Sequence, residues 1–375
     1  MQSPCPNKDV CGSCGWSHIP YNKQLEQKVS DINGTFAIKK LDLKISEILP
    51  SPRTEHYRNR MDFVIDFEGR MGLRMKGKWW RVIDNHTCFI SDEKIEQAFK
   101  HIRDWTKRSE LSFFDRKAHT GLLRYAVIRT TSTGELMITI VTSAPTLPEA
   151  EIEAKLKDLA EIAQPTTLIW SINNTITDVS FGDDLRVVTG PGYLSEEING
   201  HQYRISPNAF FQTNSAGAGV LLDTVEEFAG DLTDKTLLDL YCGTGFFSIA
   251  MADKAAKTIG VEMNVSAIED AKVNAELNGV EVDYTAAPTE NFDWGQYNAD
   301  VVILDPPRAG MHDRALADVL RILPKTIIYI SCKYKNFARE MVQLQEHYDV
   351  TLIRAIDMFP HTPHVELVAR LDKKA

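Results

Sequence analysis

The sequence predicts an α/β protein of two domains, in which a β-rich α+β domain precedes a doubly wound, Rossmann-like domain. Three observations support this fold class. The chain of 375 residues is longer than one compact core usually accommodates. In the first half, short alternating apolar runs are separated by glycine-containing turns, which is typical of antiparallel strands. Beyond about residue 205, apolar strands alternate with helical segments, which is typical of a parallel sheet covered by helices. We therefore expect domains at 1–200 and 201–375.

The first domain has recognisable elements in its sequence pattern. The elements expected are, in chain order, a cysteine- and glycine-rich loop, a polar helix from residue 21, antiparallel strands over 57–90, a helix over 92–108, a hairpin over 124–143, a charged helix over 148–164 and a strand at 167–172.

No targeting or membrane signal is recognisable. The N-terminus MQSPCPNKDV lacks a basic-then-apolar pattern, and no stretch approaches the ~18–20 uncharged apolar residues that a membrane span needs. We therefore expect a cytoplasmic protein that does not enter a membrane. Nothing in the sequence indicates an obligate protein partner.

Charge is distributed unevenly along the chain. The net charge of −10 alone argues against a nucleic-acid partner. Residues 1–125, however, contain 22 Lys and Arg against 16 Asp and Glu, whereas residues 126–375 contain 20 against 36. The most basic stretch, GRMGLRMKGKWWR at 69–81, has five basic residues, two tryptophans and no acid. It is either a solvated hairpin edge or a surface that contacts phosphates.

A cofactor site is expected in KTLLDLYCGTGFFSIAMA (235–252), which has the pattern of a buried strand, a glycine turn and a helix start. Gly243 and Gly245 allow a sharp bend and the close approach of a ligand. Seventeen residues after Gly245, the next strand ends in Glu262, whose carboxylate can bind both ribose hydroxyls of an adenosine cofactor. Ser248 replaces the third glycine of the dinucleotide pattern, which favours S-adenosylmethionine over a nicotinamide cofactor. Alternatively, the turn serves only to connect strand and helix.

Further polar residues are expected at the same edge of the sheet. A third strand, in ADVVILDPPRAGM (299–311), ends at Asp305, and a fourth strand, KTIIYIS, ends just before Cys332. Ligands of open α/β sheets bind outside the carboxyl ends of the strands, so Glu262, Asp305 and Cys332 should face one crevice.

Cys332 and Glu366 are the candidate reactive groups. Lys333 and Lys335 follow Cys332 and are expected to favour its thiolate, although a free cysteine is more often an apolar filler. Glu366 lies in the apolar run HVELVARL, where burial would raise its pKa and suit it to act as a base near neutrality. Alternatively, Glu366 is an exposed residue on an edge strand.

A thiolate, a methyl donor and a base together indicate one reaction. C5 of a uracil ring is too weakly nucleophilic to accept a methyl group. Addition of a thiolate to C6 makes C5 nucleophilic, so that it can attack a sulfonium methyl group before a base removes the C5 proton. The sequence offers Cys332, the 239–262 cofactor site and Glu366 for these roles.

Six motifs in the C-terminal half resemble the RNA uracil-5-methyltransferase family. They are FFQTN (210–214), LLDLYCGTGFFS (237–248), VEMN (261–264), ILDPPRAG (303–310), ISCKYKN (330–336) and HTPHVELV (361–368). The resemblance implies that Cys332 is the nucleophile and Glu366 the base. It also implies a methyltransferase fold whose S-adenosylmethionine pocket is lined by Gln212, Tyr241, Glu262 and Asp305. RNA cytosine-5 methyltransferases are similar but have a cysteine beside the proline-rich motif, which Asp-Pro-Pro-Arg lacks here.

Four cysteines of the first half form a candidate metal site. Cys5, Cys11 and Cys14 have the spacing C-x5-C-x2-C, and Cys88 is the remaining cysteine before the catalytic half. Four cysteines suit either zinc or an iron–sulfur cluster. A branch of the same family has this spacing with a distant fourth cysteine, and that resemblance favours a [4Fe–4S] cluster over zinc. We expect its role to be structural.

The resemblance also bears on the RNA substrate. Many relatives begin with an extra RNA-binding β-barrel, the TRAM domain, whereas this chain starts at the cysteine motif. The chain is therefore most similar to the cluster-bearing enzymes that methylate 23S ribosomal RNA, with the T-loop uridine of transfer RNA as the alternative. RNA contacts are expected from the 69–81 strip.

Two other function classes are a non-catalytic RNA-binding or chaperone protein and a redox enzyme that uses the cluster.

Overall fold

The computed structural model describes residues 3–86 and 88–375, which divide into two compact units. The first unit contains the described residues of Met1–His18, Thr54–Glu197 and Arg204–Asn208. The second contains Ile19–Arg53, Ile198–Tyr203 and Ala209–Ala375. The predicted α/β class is confirmed, but a single boundary near residue 200 does not describe residues 19–53, which belong to the second unit.

The helices of the described residues have the following bounds: α1 Lys8–Cys11, α2 Tyr21–Ile38, α3 Glu93–Arg108, α4 Glu149–Ala163, α5 Ser215–Ala229, α6 Phe246–Ala252, α7 Val265–Asn278, α8 Asp313–Ile322 and α9 Tyr334–Leu344. Two short 3-10 turns lie at Thr289–Asn291 and Trp294–Tyr297.

The strands have the following bounds: β1 Ile48–Leu49, β2 Arg60–Ile65, β3 Met71–Gly72, β4 Arg74–Met75, β5 Lys78–Val82, β6 Leu123–Thr130, β7 Leu136–Thr142, β8 Thr167–Ile172, β9 Asp184–Thr189, β10 Leu194–Ile198, β11 His201–Ile205, β12 Thr236–Leu240, β13 Lys257–Glu262, β14 Asp283–Ala286, β15 Val301–Leu304, β16 Thr326–Ser331, β17 Tyr348–Ile356 and β18 Glu366–Lys373.

The first unit is built on a six-stranded sheet in the order β3-β2-β6-β7-β8-β9. Its pairs are antiparallel except β7 and β8, which are parallel and joined through α4. Helix α3 begins at its N-cap Asp92, whose side chain accepts the N–H of Lys94, and buries one face that includes Phe99, Ile102 and Trp105. The predicted 92–108 helix, 124–143 hairpin and 167–172 strand are confirmed.

The second unit is built on an eight-stranded sheet in the order β1-β17-β18-β16-β15-β12-β13-β14. Strands β12 to β16 pair with one another in parallel, because each connection carries the chain back across the sheet, mostly through a helix. Only β18 is antiparallel to both of its neighbours, β16 and β17. The doubly wound arrangement predicted from the α/β alternation is therefore present, with one reversed strand.

Helix α2 packs on this second sheet, which explains the corrected boundary. Ile32 and Phe36 of α2 are buried in the core of the second unit, and β1 pairs in parallel with β17. A polar helix pattern does not reveal which of two cores its apolar face will join, so the sequence could not assign α2. No helix in the described part of the chain is long and apolar enough to cross a membrane.

Candidate functional site

The carboxyl ends of four parallel strands lie side by side at one edge of the second sheet. In register, Leu240 of β12 pairs with Val261 of β13 and with Leu304 of β15, which in turn pairs with Tyr329 of β16. The strands therefore deliver Tyr241, Glu262, Asp305 and Cys332 to the same edge. This is the convergence that the sequence predicted.

Glu366 reaches the same edge from the opposite direction. It is the first residue of β18, and because β18 is antiparallel, its beginning lies where β16 ends. Ser331 pairs with Leu367 as the last pair of the β16–β18 ladder, and Cys332 and Glu366 are the next residues beyond it on the two chain segments. Glu366 is near enough to raise the pKa of the Cys332 thiol. Glu366 is 6% exposed. Burial, aided by Asp305, raises its pKa well above the usual range, so the predicted buried position and raised pKa are confirmed.

The glycine turn after β12 has one glycine for packing and one facing open space. Gly245 has φ of +85°, and a Cβ at this position would lie 2.4 Å from the hydroxyl of Tyr284. Gly243 also has a positive φ, but a Cβ there would meet nothing within 4 Å. Glu262 holds the turn, since its carboxylate accepts the N–H of Gly243 at 3.3 Å and of Asn264 at 2.8 Å. The space beside Gly243 is available to a ligand.

Two other predicted cofactor residues flank the turn. Tyr241 is half-buried with φ of +68°, and burial raises the pKa of its hydroxyl to about 12. Gln212 is half-buried in the loop before α5. That loop is fixed two residues later, where Asn214 caps α5 by accepting the N–H of Gly217 at 2.9 Å.

The charge environment of Cys332 differs from the prediction. Burial is the main cause, with Glu366 and Asp305 adding to it, of the rise in the pKa of the thiol to about 11. Lys333 and Lys335, which were expected to favour the thiolate, are both exposed. The cationic group that opposes the rise is Arg308. The expected lowering of the pKa is therefore wrong for the free protein, because lysine side chains on the following helix extend into solvent.

The crevice contains more carboxyl groups than nearby cations. Burial raises the pKa of Asp305 to about 7. Burial and the neighbouring Asp305 raise the pKa of Asp239 to about 8. Asp239 is fully buried, and one of its carboxylate oxygens accepts the N–H of Ser248 at 3.0 Å, while the other has no hydrogen-bond partner among the residues that the structure describes. With Glu366, three carboxyl groups are destabilised as anions, so the site suits a positively charged ligand.

Two residues of this site were not singled out from the sequence. Asp239 lies inside the apolar strand before the glycine turn, and Arg308 directly follows Asp-Pro-Pro. Arg308 lies within 3.3 Å of the His364 ring and opposes the raised pKa of both Cys332 and Glu366. The available signal in the sequence was a charged residue within a motif. Only the folded structure shows which groups Asp239 and Arg308 influence.

The four N-terminal cysteines lie close together within the first unit. All are free thiols, and Cys5, Cys14 and Cys88 are buried. Burial raises the pKa of Cys14, and Cys88, Cys5 and Cys11 each raise it further, which requires the four thiols to be near one another. The described residues nevertheless contain no group of three or more His, Cys, Asp or Glu side chains that could hold a metal ion. The predicted iron–sulfur domain is therefore not supported by this arrangement.

The predicted basic strip forms an exposed hairpin of β4 and β5 in the same unit. Trp79 and Trp80 are 62% and 57% exposed, and their rings meet edge to face with centroids 6.1 Å apart. Lys76, Lys78 and Arg81 are exposed, and none of them forms an ion pair among the described residues. Both tryptophans face solvent.

The hairpin rests on the cysteine loop. The N–H of Lys76 donates to the carbonyl oxygen of Val10 at 2.7 Å, and the Lys76 stem lies where a Cβ on Gly12 would be. Gly12 has φ of +75°. A side chain at position 12 would therefore be strained and would displace the hairpin.

Comparison with known proteins identifies a family. The family described as tRNA (uracil-5-)-methyltransferase matches residues 20–374. An uncharacterized RNA methyltransferase of Caldanaerobacter subterraneus is 38% identical over an alignment of 391 residues, which covers 100% of this chain and 85% of the relative.

Two relatives have more specific names. The tRNA (uracil(54)-C(5))-methyltransferase of Pyrococcus furiosus is 38% identical over 362 residues, covering 96% of this chain and 83% of the relative. The crystal structure of the Pyrococcus abyssi tRNA (uracil-54, C5)-methyltransferase in complex with S-adenosyl-L-homocysteine superposes with a TM-score of 0.81 at 34% identity. That match covers 96% of this chain and 85% of the other.

The raised pKa of Asp239 predicts a pH-dependent stability. Its folded-state pKa of about 8 exceeds the ordinary value of 3.8, so the folded protein binds more protons between these values. The free energy of unfolding should therefore fall as pH rises through this window, by up to about 1.4 kcal/mol per pH unit for each such group. Asp239→Asn should flatten this dependence and raise the melting temperature at pH 8.

Thermal unfolding between pH 5 and 8 measures the effect. Glu276→Gln, at an exposed position of α7, is the matched control and should leave the slope unchanged. An unchanged slope in Asp239→Asn would contradict a buried, proton-binding carboxyl at this position.

Proposed function

Because the chain belongs to the tRNA (uracil-5-)-methyltransferase family, we propose that Cys332 and Glu366 carry out its reaction as nucleophile and base. The protein is an S-adenosylmethionine-dependent RNA uracil-5-methyltransferase, as the family match and the named relatives indicate. Its fold is the mixed α/β fold of these enzymes. The observation that carries the proposal is that Cys332 and Glu366 both lie at the same end of the β16–β18 ladder, directly beyond its last pair, Ser331 and Leu367.

The crevice residues fit the cofactor. A sulfonium cation would offset the carboxyl groups of Asp239 and Asp305, and the open space beside Gly243 admits a ligand against the backbone. We place the ribose at Glu262, and we assign Gln212 and Tyr241 to the same pocket. S-adenosylmethionine supplies the methyl group when bound.

The protein residues perform the remaining steps. The Cys332 thiolate forms a bond to C6 of uracil and the C5–C6 double bond opens to an enolate. C5 then attacks the methyl carbon, whose bond to sulfur breaks to leave S-adenosylhomocysteine. Glu366 then takes the proton from C5, the electron pair of the C–H bond restores the ring double bond, and the bond from sulfur to C6 breaks. Arg308 assists by favouring the anionic forms of both residues.

For the RNA substrate, the names of the relatives favour transfer RNA over the 23S ribosomal RNA that was expected from the sequence. Three relatives from Pyrococcus species are named tRNA (uracil(54)-C(5))-methyltransferases. We therefore propose the corresponding T-loop uridine of transfer RNA as the target, with 23S ribosomal RNA as the second candidate on the motif resemblance. The target base must leave its stack to reach Cys332.

Nucleoside analysis tests this reaction. Purified protein with S-adenosylmethionine should form 5-methyluridine in unmodified transfer RNA and not in ribosomal RNA. Cys332→Ala should abolish turnover, because no other group can activate C5. Glu366→Gln should methylate once and accumulate a covalent RNA adduct, because the C5 proton is retained and the sulfur cannot leave.

Mass spectrometry of digested RNA and denaturing gels of the protein measure both effects. Formation of 5-methylcytidine, or turnover by Cys332→Ala, would contradict the assigned roles. Product in ribosomal RNA alone would restore the second candidate substrate without changing the chemistry.

The carboxyl-rich crevice predicts that cofactor affinity depends on pH. Ionisation of Asp305 and Asp239, with pKa values of about 7 and 8, should strengthen binding of a cation as pH rises. The affinity for S-adenosylmethionine relative to S-adenosylhomocysteine should increase between pH 6.5 and 8.5, by roughly tenfold or less per unit.

Calorimetric titration of both ligands measures this ratio. S-adenosylhomocysteine is the control, since it has the same amino and carboxylate groups and lacks only the sulfonium charge. A ratio that stays constant with pH would show that the carboxyl groups do not face the sulfonium.

The β4–β5 hairpin is our proposed RNA contact. Trp79 and Trp80 offer exposed rings on which unpaired bases can stack, while Lys76, Lys78 and Arg81 offer charges to phosphates. Replacing both tryptophans by Ala should weaken RNA binding by about tenfold or more. The affinity for S-adenosylmethionine should not change.

RNA affinity at several salt concentrations separates the two contributions. Lys78→Ala should weaken binding and lower its salt dependence, whereas the tryptophan variant should leave the salt dependence unchanged. Lys107→Ala, an exposed lysine on α3, is the matched control. Unchanged RNA affinity in the tryptophan variant would exclude the hairpin.

We propose that Cys5, Cys11, Cys14 and Cys88 hold a [4Fe–4S] cluster that orders the cysteine loop beneath the hairpin. Support comes from the number of these cysteines and their C-x5-C-x2-C spacing in the sequence. Anaerobically purified protein should contain about four iron and four sulfide per chain, and Cys88→Ser should lose both. Zinc without sulfide would replace this assignment, and absence of any metal would contradict it.

A further inference from the structure

Residues 357–365 join β17 to β18 and lead directly into Glu366. Asp357, at the start of this segment, forms a buried ion pair with Lys28, whose ammonium lies 2.7 Å from Oδ1. The two side chains are 0% and 1% exposed, and the residues are 329 positions apart in the chain. The same ammonium donates to the carbonyl oxygen of Phe359 at 3.3 Å, and Asp357 Oδ1 accepts the Phe359 N–H at 3.1 Å. The segment is thus folded around a charge supplied by α2.

A second side chain of α2 holds the middle of the segment. Gln24 accepts the N–H of His361 at 2.7 Å through Oε1, and its Nε2 lies 3.1 Å from His361 Nδ1. His361 has φ of +66°, a conformation that costs a non-glycine residue of order 1 kcal/mol and persists only where its surroundings enforce it. Between these contacts, Asn214 donates to the carbonyl oxygen of Met358 at 3.0 Å. Groups from outside the segment therefore determine its backbone path.

The ion pair is better explained by its effect on the backbone geometry of residues 357–365 than by a contribution to the free energy of folding. Moving two charges out of water costs several kcal/mol each, and an apolar pair of similar size is often as stable or more so. Burial lowers the pKa of Lys28, and Asp357 opposes that change. An apolar pair could fill the same space, but it could not direct both a carboxylate and a main-chain carbonyl. The ion pair therefore fixes the direction in which the chain enters β18.

We propose that Lys28 is a positioning residue for proton removal, acting through Asp357 and residues 357–365 on Glu366. The inference rests on the proposed role of Glu366 as the base. In that step the C5–H bond breaks, the proton moves to the Glu366 carboxylate, the electron pair forms the C5–C6 double bond, and Cys332 leaves as a thiolate. A small displacement of Glu366 slows this step and leaves the earlier addition of Cys332 and binding of RNA unaffected.

The test is the isotope effect at uracil C5. RNA with deuterium at C5 of uracil is compared with ordinary RNA, using the parent protein and Lys28→Met. We expect kcat of the variant to fall about tenfold to a hundredfold, because misplacement by about 1 Å has effects of this size. The ratio kcat/KM for RNA should stay within about twofold, since the steps up to methyl transfer are not altered, and KM should therefore fall together with kcat. The isotope effect on kcat should increase, and covalent RNA adduct should accumulate, because proton removal has become slower.

Two further variants separate positioning from folding. Lys23→Met, at an exposed position of the same helix, should match the parent in all measurements. The double variant Lys28→Met/Asp357→Asn removes both charges, so it avoids an uncompensated buried anion and should stay folded. It should still show the raised isotope effect, because neither replacement directs Phe359 as the ion pair does.

The outcomes distinguish this inference from the proposed function. Active sites are counted by the covalent adduct with 5-fluorouracil RNA, in which C5 carries no removable proton. If kcat per active site and the isotope effect of both Lys28 variants equal those of the parent, Lys28 is only structural and the inference fails. If the parent itself releases no C5 proton and forms no adduct, the proposed function fails instead.

Discussion

The site depends on the pairing of one reversed strand with a parallel sheet. Parallel strands bring only their carboxyl ends to the edge where ligands bind, so each supplies a residue at the end of its apolar run. β18 lies antiparallel between β16 and β17, and therefore brings its first residue to that edge. A shift of this register by one residue would turn Glu366 to the other face of the sheet. The ladder that sets Ser331 opposite Leu367 thus fixes which two groups can act on one base.

The same edge concentrates negative charge at a cost to the free protein. Asp239, Asp305 and Glu366 are all held where their ionised forms are disfavoured, mainly by burial. One buried oxygen of Asp239 has no partner at all among the described residues. Such groups are costly unless a ligand supplies the missing charge. The crevice therefore suits a cation. The carboxylates are unfavourably buried in the free protein, and binding a cation there offsets this cost.

The polar residues at strand ends could be predicted from the sequence, because the end of an apolar run can be recognised from neighbouring residues alone. Glu262, Asp305 and Cys332 each follow an apolar run, and the sheet then places them together. The electrostatic environment of Cys332 was not predictable in this way. Lys333 and Lys335 are near in sequence but extend into solvent, whereas Arg308, from another motif, lies close in space. The assignment of α2 failed for a similar reason, since the polar residues Gln24 and Lys28 gave no sign that they would be buried against residues 357–361.

The membership of α2 in the second unit has a consequence for biosynthesis. Lys28 leaves the ribosome long before Asp357 exists, and at about 5–20 residues per second the delay is roughly 15–65 seconds. Throughout that interval Gln24 and Lys28 lack the partners they have in the folded protein, because residues 357–361 are not yet made. Its buried face contains two polar residues, Gln24 and Lys28, beside Ile32 and Phe36. A face of mixed polarity is less prone to aggregate than an apolar one, so Lys28, before it joins the buried ion pair, and Gln24 lower the aggregation tendency of the unpaired helix.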